Sequence, residues 1–414
     1  MSGLKKVLLV VVVAVGLWAW WSLGGQTDHH IERSERSVLE EVPSEENVSE
    51  VVSAAVEAPA VKADALETPE KFFYNQLDEQ AQVIYRALRD GVAQSVSEIQ
   101  VETGDAQAVH DIFRRVMFDH PEFFWATGSA TSTVYEWTDG RVYTMFKPEY
   151  GHTGAAKEAM QAEIERVVEA FLTGLEPGLS EYELVRAVYD YLISTTTYNL
   201  EAPDHQNIYS VFVNRESVCA GISRAAQLLL ERLGIFATYV VGVAYVPGTS
   251  TEPIPHAWNL VRVNGVYYYL DVTWGSPVFQ EGSALGERIE VLYDYLLLNE
   301  ELLFRTHTLD EAITMPPVTS LQHNFFVMNG MFYDEPDEER MLEAMNTSIL
   351  NQEDWVAFKF ATPALYQAMR QVILEDLAPE AARNLAQWHG LESVRYYIRE
   401  KENLNKITIY WVYE

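Results

Sequence analysis

Asn264-Gly265 is the feature that most restricts how this chain can fold, because it separates two runs with strand character. Ala257 to Val263 and Val266 to Val272 are rich in β-branched and aromatic residues, and Asn-Gly is a preferred two-residue hairpin turn. With that turn Val263 pairs with Val266, Trp258 is expected opposite Asp271, and His256 opposite Thr273. Side chains alternate across a strand, so His256, Trp258 and Leu260 share a face with Thr273, Asp271 and Tyr269. His256 and Asp271 become diagonal neighbours, about 7–8 Å apart between backbones and closer between side chains. A slip of one residue would send them to opposite faces. Tyr267 and Tyr269 fall on the His256 face too, as core packing or as lining of a cleft.

Upstream, Ala220 to Leu233 places Ile222, Ala225, Ala226, Leu229, Leu230 and Leu233 on one stripe at helical spacing. Gly234 follows as a C-cap. Cys219, the only cysteine, therefore heads a helix, where unpaired amides and the positive dipole end favour a thiolate. A buried structural cysteine is the plainer alternative. With His256 and Asp271 downstream, the order reads as a nucleophile, its base and the group that orients the base. The oxyanion would be held by the Cys219 amide and a second donor. Gln206, a side-chain amide a short way upstream, is the first candidate, with Trp258 behind it. Arg224 is read as a packing or solvent-facing residue on the same helix.

The composition narrows the function classes. At 414 residues, 48% hydrophobic and 12% aromatic, the chain has ample material for a core. A net charge of −32 argues against nucleic acid or an anionic membrane surface as a partner. One cysteine rules out an intrachain disulfide and a cysteine-rich zinc site. No HExxH and no GxxxxGK(S/T) motif occurs, and no cofactor or metal is expected. His205 and His120 read as loop and helix-end structure. His110, His152, His307, His323 and His389 show no spacing that suggests a metal site.

Along the chain, five segments are expected. Residues 1–25 hold Lys5, Lys6 and an apolar run from Val7 to Leu23, with Trp18, Trp20 and Trp21 at its outer end. This reads as a single-pass anchor with the amino terminus cytoplasmic and the rest extracytoplasmic. A cleaved signal peptide, leaving a secreted protein, is its rival. Residues 26–68 form an acidic linker; Asp28 to Glu67 carries eleven acidic residues against three basic. Residues 69–178 form an α/β extension, with helices over Leu77–Gly91 and Ala106–Phe118 and a hairpin over Thr133–Phe146 turning at Thr138-Asp139-Gly140. Helices are also expected over Ala155–Phe171 and Glu181–Thr195. The core spans 179–315, and Pro316-Pro317 opens an α/β appendage, 316–414. There, strands are expected over Trp355–Phe360 and Lys406–Val412, with helices over Leu365–Leu377 and Glu380–Trp388.

Three motifs carry a resemblance. Ser217-Val218-Cys219-Ala220-Gly221-Ile222-Ser223-Arg224-Ala225, His256-Ala257-Trp258-Asn259 and Asp271-Val272-Thr273-Trp274 resemble, in sequence, spacing and order, the core motifs of the bacterial transglutaminase-like superfamily. The similarity covers roughly Ser180 to Pro277, about a quarter of the chain. Asp119-His120-Pro121-Glu122-Phe123-Phe124-Trp125 is similar to the amino-terminal extension of bacterial surface proteins that carry this domain. The resemblance implies an α+β, papain-like fold in which the cysteine heads a helix packed on an antiparallel sheet. It also implies a thioester formed from a protein or peptide amide, with Cys219 as nucleophile, His256 as base and Asp271 as third member. An amine acceptor would give cross-linking and water would give hydrolysis. Nothing resembles the calcium-binding and accessory β-domains of animal transglutaminases, which favours hydrolysis. A non-catalytic surface adaptor on the same fold is the alternative. It would be expected to carry a damaged triad, whereas all three residues are present here.

Overall fold

The computed structural model describes residues 7–9, 71–137, 139–245, 252–276, 291–390 and 395–413. Of the apolar run expected to anchor the chain, Val7–Leu9 forms strand β1 and pairs antiparallel with Val134–Glu136. Residues 10–70, with the rest of that run and the acidic linker, lie outside the described residues. Among the described residues, no helix is long and apolar enough to cross a membrane.

Helices α1 (Glu79–Ala93) and α2 (Ala106–Asp119) start where Asp78 and Asp105 accept the amides of Ala81 and Ala108. Those carboxylates satisfy amides that have no partner within the helix. The two helices bury apolar stripes that include Ile84, Leu88 and Val92 on one and Val109, Phe113 and Val116 on the other. They pack with a sheet ordered β1-β3-β4-β2, in which β2 is Ile99–Val101, β3 is Ala126–Glu136 and β4 is Val142–Tyr150. β3 and β4 form the expected hairpin, although Thr138 in its turn lies outside the described residues.

Next come α3 (Gly154–Thr173) and α4 (Glu181–Thr195), the second opened by a reciprocal capping box between Ser180 and Glu183. Two short strands, β5 (Thr197–Tyr198) and β6 (Glu216–Ser217), pair in parallel and lead into α5 (Cys219–Arg232). The stripe expected on this helix is buried from Ile222 to Leu230, and Gly234 takes a left-handed conformation at φ +76° beyond its end. α5 packs on an antiparallel sheet ordered β10-β7-β8-β9. Here β7 is Ala237–Ala244, β8 Ile254–Val263, β9 Val266–Leu270 and β10 His307–Leu309. Helix α6 (Glu300–Leu303) precedes β10. On the α5 side, Ser223 Oγ donates to the Ala257 carbonyl at 3.0 Å, and Asn259 Nδ2 donates to the Ser223 carbonyl at 2.9 Å. The far face carries its own cluster, including Val240, Trp258, Leu260, Tyr269, Leu298 and Leu303. β10 pairs closely along β7, and glycine at position 242 accommodates it: a Cβ there would lie 2.0 Å from the Thr308 carbonyl oxygen.

The carboxy-terminal part follows α7 (Phe325–Met328). Its sheet runs β11-β12-β14-β13, formed by Phe332–Tyr333, Trp355–Phe360, Lys406–Val412 and Arg395–Lys401. Helices α8 (Glu338–Leu350), α9 (Pro363–Val372) and α10 (Ala378–His389) accompany it. Met341, Met345, Phe358, Ile373, Leu385 and Ile409 are fully buried in a core of this part. Strands Trp355–Phe360 and Lys406–Val412 have the bounds expected from sequence. α8 and β13 are additions that the sequence reading did not contain.

Candidate active site

The site begins with how α5 starts. Its N-cap residue is Val218, in an extended conformation, and no side chain caps the helix. The first-turn amides therefore face the site without an internal acceptor, at the positive end of the helix dipole. The preceding loop braces this start. The His205 carbonyl accepts the Val218 amide at 3.2 Å and the Ser217 hydroxyl at 2.8 Å. Gly221 allows the loop to come this close: a Cβ would lie 2.2 Å from Ser217 Oγ and 2.8 Å from the His205 carbonyl oxygen. Cys219 is buried at the head of this helix.

His256 and Asp271 come from the hairpin. Asn264 and Gly265 both have positive φ, +49° and +80°, as a primed turn requires. The register runs as expected from Val263↔Val266 to Asn259↔Leu270. There the ladder stops, which corrects the expected pairing of Trp258 with Asp271 and of His256 with Thr273. The Asp271 amide donates instead to the Tyr295 carbonyl at 3.0 Å, and the chain turns so that the Trp274 amide reaches Asp271 Oδ1 at 3.0 Å. β8 meets β7 on its other edge, with His256 opposite Gly242. The side chains nevertheless meet: His256 Nε2 lies 2.7 Å from Asp271 Oδ2. Cys219 is a further hydrogen-bond partner of the imidazole.

The electrostatics follow from this arrangement. Burial disfavours the His256 cation, but the Asp271 carboxylate and Cys219 outweigh it and hold the imidazole at about 10. For Asp271, burial alone would favour the neutral acid. The imidazoles of His256 and His307 reverse that and hold it well below the usual carboxylate range.

His307 is the member that sequence reasoning missed. It stands on β10, 36 residues after Asp271, and its Nε2 lies 3.0 Å from the same Oδ2 that His256 uses. Thr306 Oγ1 lies 2.8 Å from His307 Nδ1. Burial lowers the pKa of His307, and the net shift stays downward despite Asp271. A neutral ring with the Thr306 hydroxyl donating to Nδ1 keeps its proton on Nε2, which donates to Asp271. Asp271 thus accepts from two imidazoles and one backbone amide. Trp274 and Trp258 enclose the group, their ring centroids 4.8 and 5.1 Å from that of His307. His256, Asp271 and His307 also offer three ligand atoms within 4.8 Å of one another, a set that could chelate a divalent metal. Their hydrogen bonds to one another and to Thr306 and Trp274 already use these same atoms.

Of the two expected oxyanion donors, Trp258 is fully buried, stacks on His256 at 5.9 Å and has no partner for Nε1. Gln206 lies partly buried in the brace loop, between His205 and Asn207. His205 Nδ1 meets the Ala202 carbonyl at 2.7 Å. His120 is the C-cap residue of α2, bound to Glu122 at 2.7 Å. Arg224 packs over Tyr239 and donates to the Met117 carbonyl at 2.8 Å. Tyr269 is core, and Tyr267 meets Phe236 edge to face. Tyr198, which no motif singled out, brings its hydroxyl within hydrogen-bond reach of Cys219.

The model of the Transglutaminase-like superfamily matches residues 169–272, the span that holds Cys219, His256 and Asp271. These residues are thus similar to that superfamily, and the structure places them in an α+β arrangement with α5 packed on an antiparallel sheet. Over 237 residues it is 22% identical to the kyphoscoliosis peptidase of Mus musculus and equally to that of Homo sapiens. Each match covers 53% of this chain and 33% of the relative, so the chain aligns with about a third of the length of these curated relatives. A solved structure described as a TGase is similar at 19% identity, over 38% of this chain and 45% of that one, with a TM-score of 0.25.

Proposed function

We propose that this protein is a cysteine-dependent acyl-transfer enzyme that acts on protein or peptide amides, with water as the acceptor. The observation that carries the reading is the placement of His256 between Cys219, at the head of an uncapped helix, and the buried carboxylate of Asp271. Cys219 attacks the amide carbonyl, His256 holds the thiol proton and returns it to the leaving amine, and Asp271 keeps His256 oriented and cationic. Water then hydrolyses the thioester. The name peptidase on the two relatives agrees with hydrolysis. In this reading the domain works outside the cytoplasm, on the strength of Lys5 and Lys6 ahead of the apolar run.

Cys219→Ala is expected to abolish labelling by an active-site electrophile and all turnover, with an unchanged melting curve. The full chain, incubated with a glutamine-containing peptide and a labelled amine, should yield hydrolysed rather than amine-bearing product. Undiminished turnover in Cys219→Ala would end the enzyme reading, and amine incorporation would end the preference for water.

A pH prediction accompanies it. Because His256 is raised to about 10, the imidazolium persists through neutrality and is lost as pH rises through that value. The alkaline limb of kcat/KM should therefore lie near pH 10. The fold should lose stability as pH rises from the ordinary histidine value to about 10, since a raised native pKa contributes in full only below the unfolded value. A limb at the pH of an ordinary histidine would contradict the ion pair.

A further inference from the structure

The strand pair ahead of the nucleophile sets Tyr198 in a particular place. β5 and β6 run parallel with Tyr198 opposite Ser217, two residues before Cys219. The Asn199 amide donates to the Ser217 carbonyl at 2.9 Å, and the Thr197 amide to the Arg215 carbonyl at 2.8 Å. This ladder fixes the tyrosine backbone against the turn that opens α5. From there the Tyr198 ring packs against the buried cluster that contains Val218, Cys219 and Ala220, its phenol in hydrogen-bond reach of Cys219. Tyr198 is half-buried.

We propose that the Tyr198 hydroxyl is the second oxyanion donor, a role that rests on the acyl-transfer reading above. When Cys219 Sγ attacks, a C–S bond forms and the carbonyl π pair moves onto oxygen. That oxygen is bonded to the same carbon as sulfur, so a donor already at Sγ needs only a small swing to reach it. Donors about 3 Å from the developing charge are what such a site requires. The Cys219 amide, in the first turn of a helix where amides have no acceptor within the helix, is one of them. Tyr198 supplies the other as a hydrogen bond, without giving up its proton. When the tetrahedral adduct collapses, the pair returns to the carbonyl, the C–N bond breaks, and His256 protonates the amine. Burial, and then the negative charge of Cys219, push the Tyr198 pKa upward, so the phenol stays a donor across the working range. Trp258 is a weaker fit. It is fully buried in the cluster on the sheet face away from α5.

The test separates acylation from alkylation in the full chain. Attack on p-nitrophenyl acetate passes through an oxyanion: Sγ bonds the acetyl carbon and p-nitrophenolate leaves. Displacement of iodide from iodoacetamide by the same sulfur makes no oxyanion. Tyr198→Phe is expected to slow acylation by about 10²-fold, the scale for one lost oxyanion donor, and to leave alkylation of Cys219 near the wild-type rate. Tyr198→Met, expected to give the same split, guards against a packing defect peculiar to phenylalanine. Equal losses in both reactions would overturn the proposal, because Tyr198 would then support the thiolate or the fold. A selective loss in Gln206→Ala or Trp258→Phe, with Tyr198→Phe unaffected, would overturn it in favour of that donor. A wild-type chain alkylated at Cys219 but never acylated would instead overturn the enzyme reading itself, and this role with it.

Discussion

Asp271→Asn is expected to lower kcat by about 10³–10⁴-fold, on the scale known for an orienting aspartate replaced by its amide. That loss equals roughly 4–5 kcal/mol of barrier at about 1.4 kcal/mol per decade. The reason lies in the proton count at one carboxylate. Oδ2 accepts from His256 at 2.7 Å and from His307 at 3.0 Å, while Oδ1 accepts the Trp274 amide at 3.0 Å. An asparagine has one acceptor oxygen and one donor group, so it cannot accept on both sides. If its oxygen stays with Trp274, its NH₂ faces two imidazole N–H groups. His256 must then turn its lone pair toward the amide, and its proton moves to the nitrogen that faces Cys219. A base in that tautomer cannot take the thiol proton. If the oxygen instead stays with the histidines, the NH₂ opposes the Trp274 amide in a buried site. Either way the charge that holds His256 at about 10 is gone, and the alkaline limb should move to lower pH. The measurement is kcat against pH for wild type and Asp271→Asn, with urea denaturation of both. His307→Gln is the contrast, because its amide can still donate to Oδ2. A kcat within tenfold of wild type and an unmoved limb would refute this account of the triad.

Much of the site was legible because local rules govern it. A helical stripe ending at Gly234 put Cys219 at a helix start, and one Asn264-Gly265 turn set the register that brings His256 to Asp271. The register was right as far as Asn259↔Leu270. Beyond it, the Tyr295 carbonyl takes the Asp271 amide, a contact that no pattern within the hairpin reveals. The members that were missed are held by distant pairings. His307 sits on a three-residue strand whose partner, β7, lies more than sixty residues earlier, too short to show a period. Tyr198 is placed by a two-residue parallel pair with Ser217. A short strand carries almost no signal of its own; only a neighbour elsewhere in the chain makes it a strand.

Asp294 presents the largest stability effect. Its carboxylate accepts Lys359 Nζ at 2.9 Å through Oδ1 and Lys406 Nζ through Oδ2. All three groups are buried, and both ammonium groups lie 5.4 Å from the Phe326 ring. Burial by itself would neutralise the acid, but the two lysines hold Asp294 well below the usual carboxylate range. Burial also lowers Lys359, and the proximity of Lys406 adds to this, against the pull of Asp294. One carboxylate therefore compensates two buried cations that join the core to the carboxy-terminal sheet. Asp294→Ala leaves both without a counter-charge, and breaking a buried pair this way costs about 3–5 kcal/mol. The loss should appear as an earlier urea midpoint, and it should shrink as rising pH lets Lys359, whose pKa burial lowers, deprotonate. In the wild type the sign is opposite for the acid: a depressed carboxylate stabilises above its unfolded pKa, and that contribution fades as pH falls through its native value. Adding Lys359→Met and Lys406→Met to Asp294→Ala should restore most of the stability, since apolar groups of similar size can replace a buried ionic cluster. Should Asp294→Ala unfold within 1 kcal/mol of wild type, against the roughly 3–5 kcal/mol expected of a broken buried pair, the two lysines are not held as cations by Asp294. Should the triple variant stay as weak as the single one, the loss comes from displaced backbone around Tyr293–Tyr295. That segment also supplies the Tyr295 carbonyl to Asp271, so in this second case kcat should fall along with the midpoint.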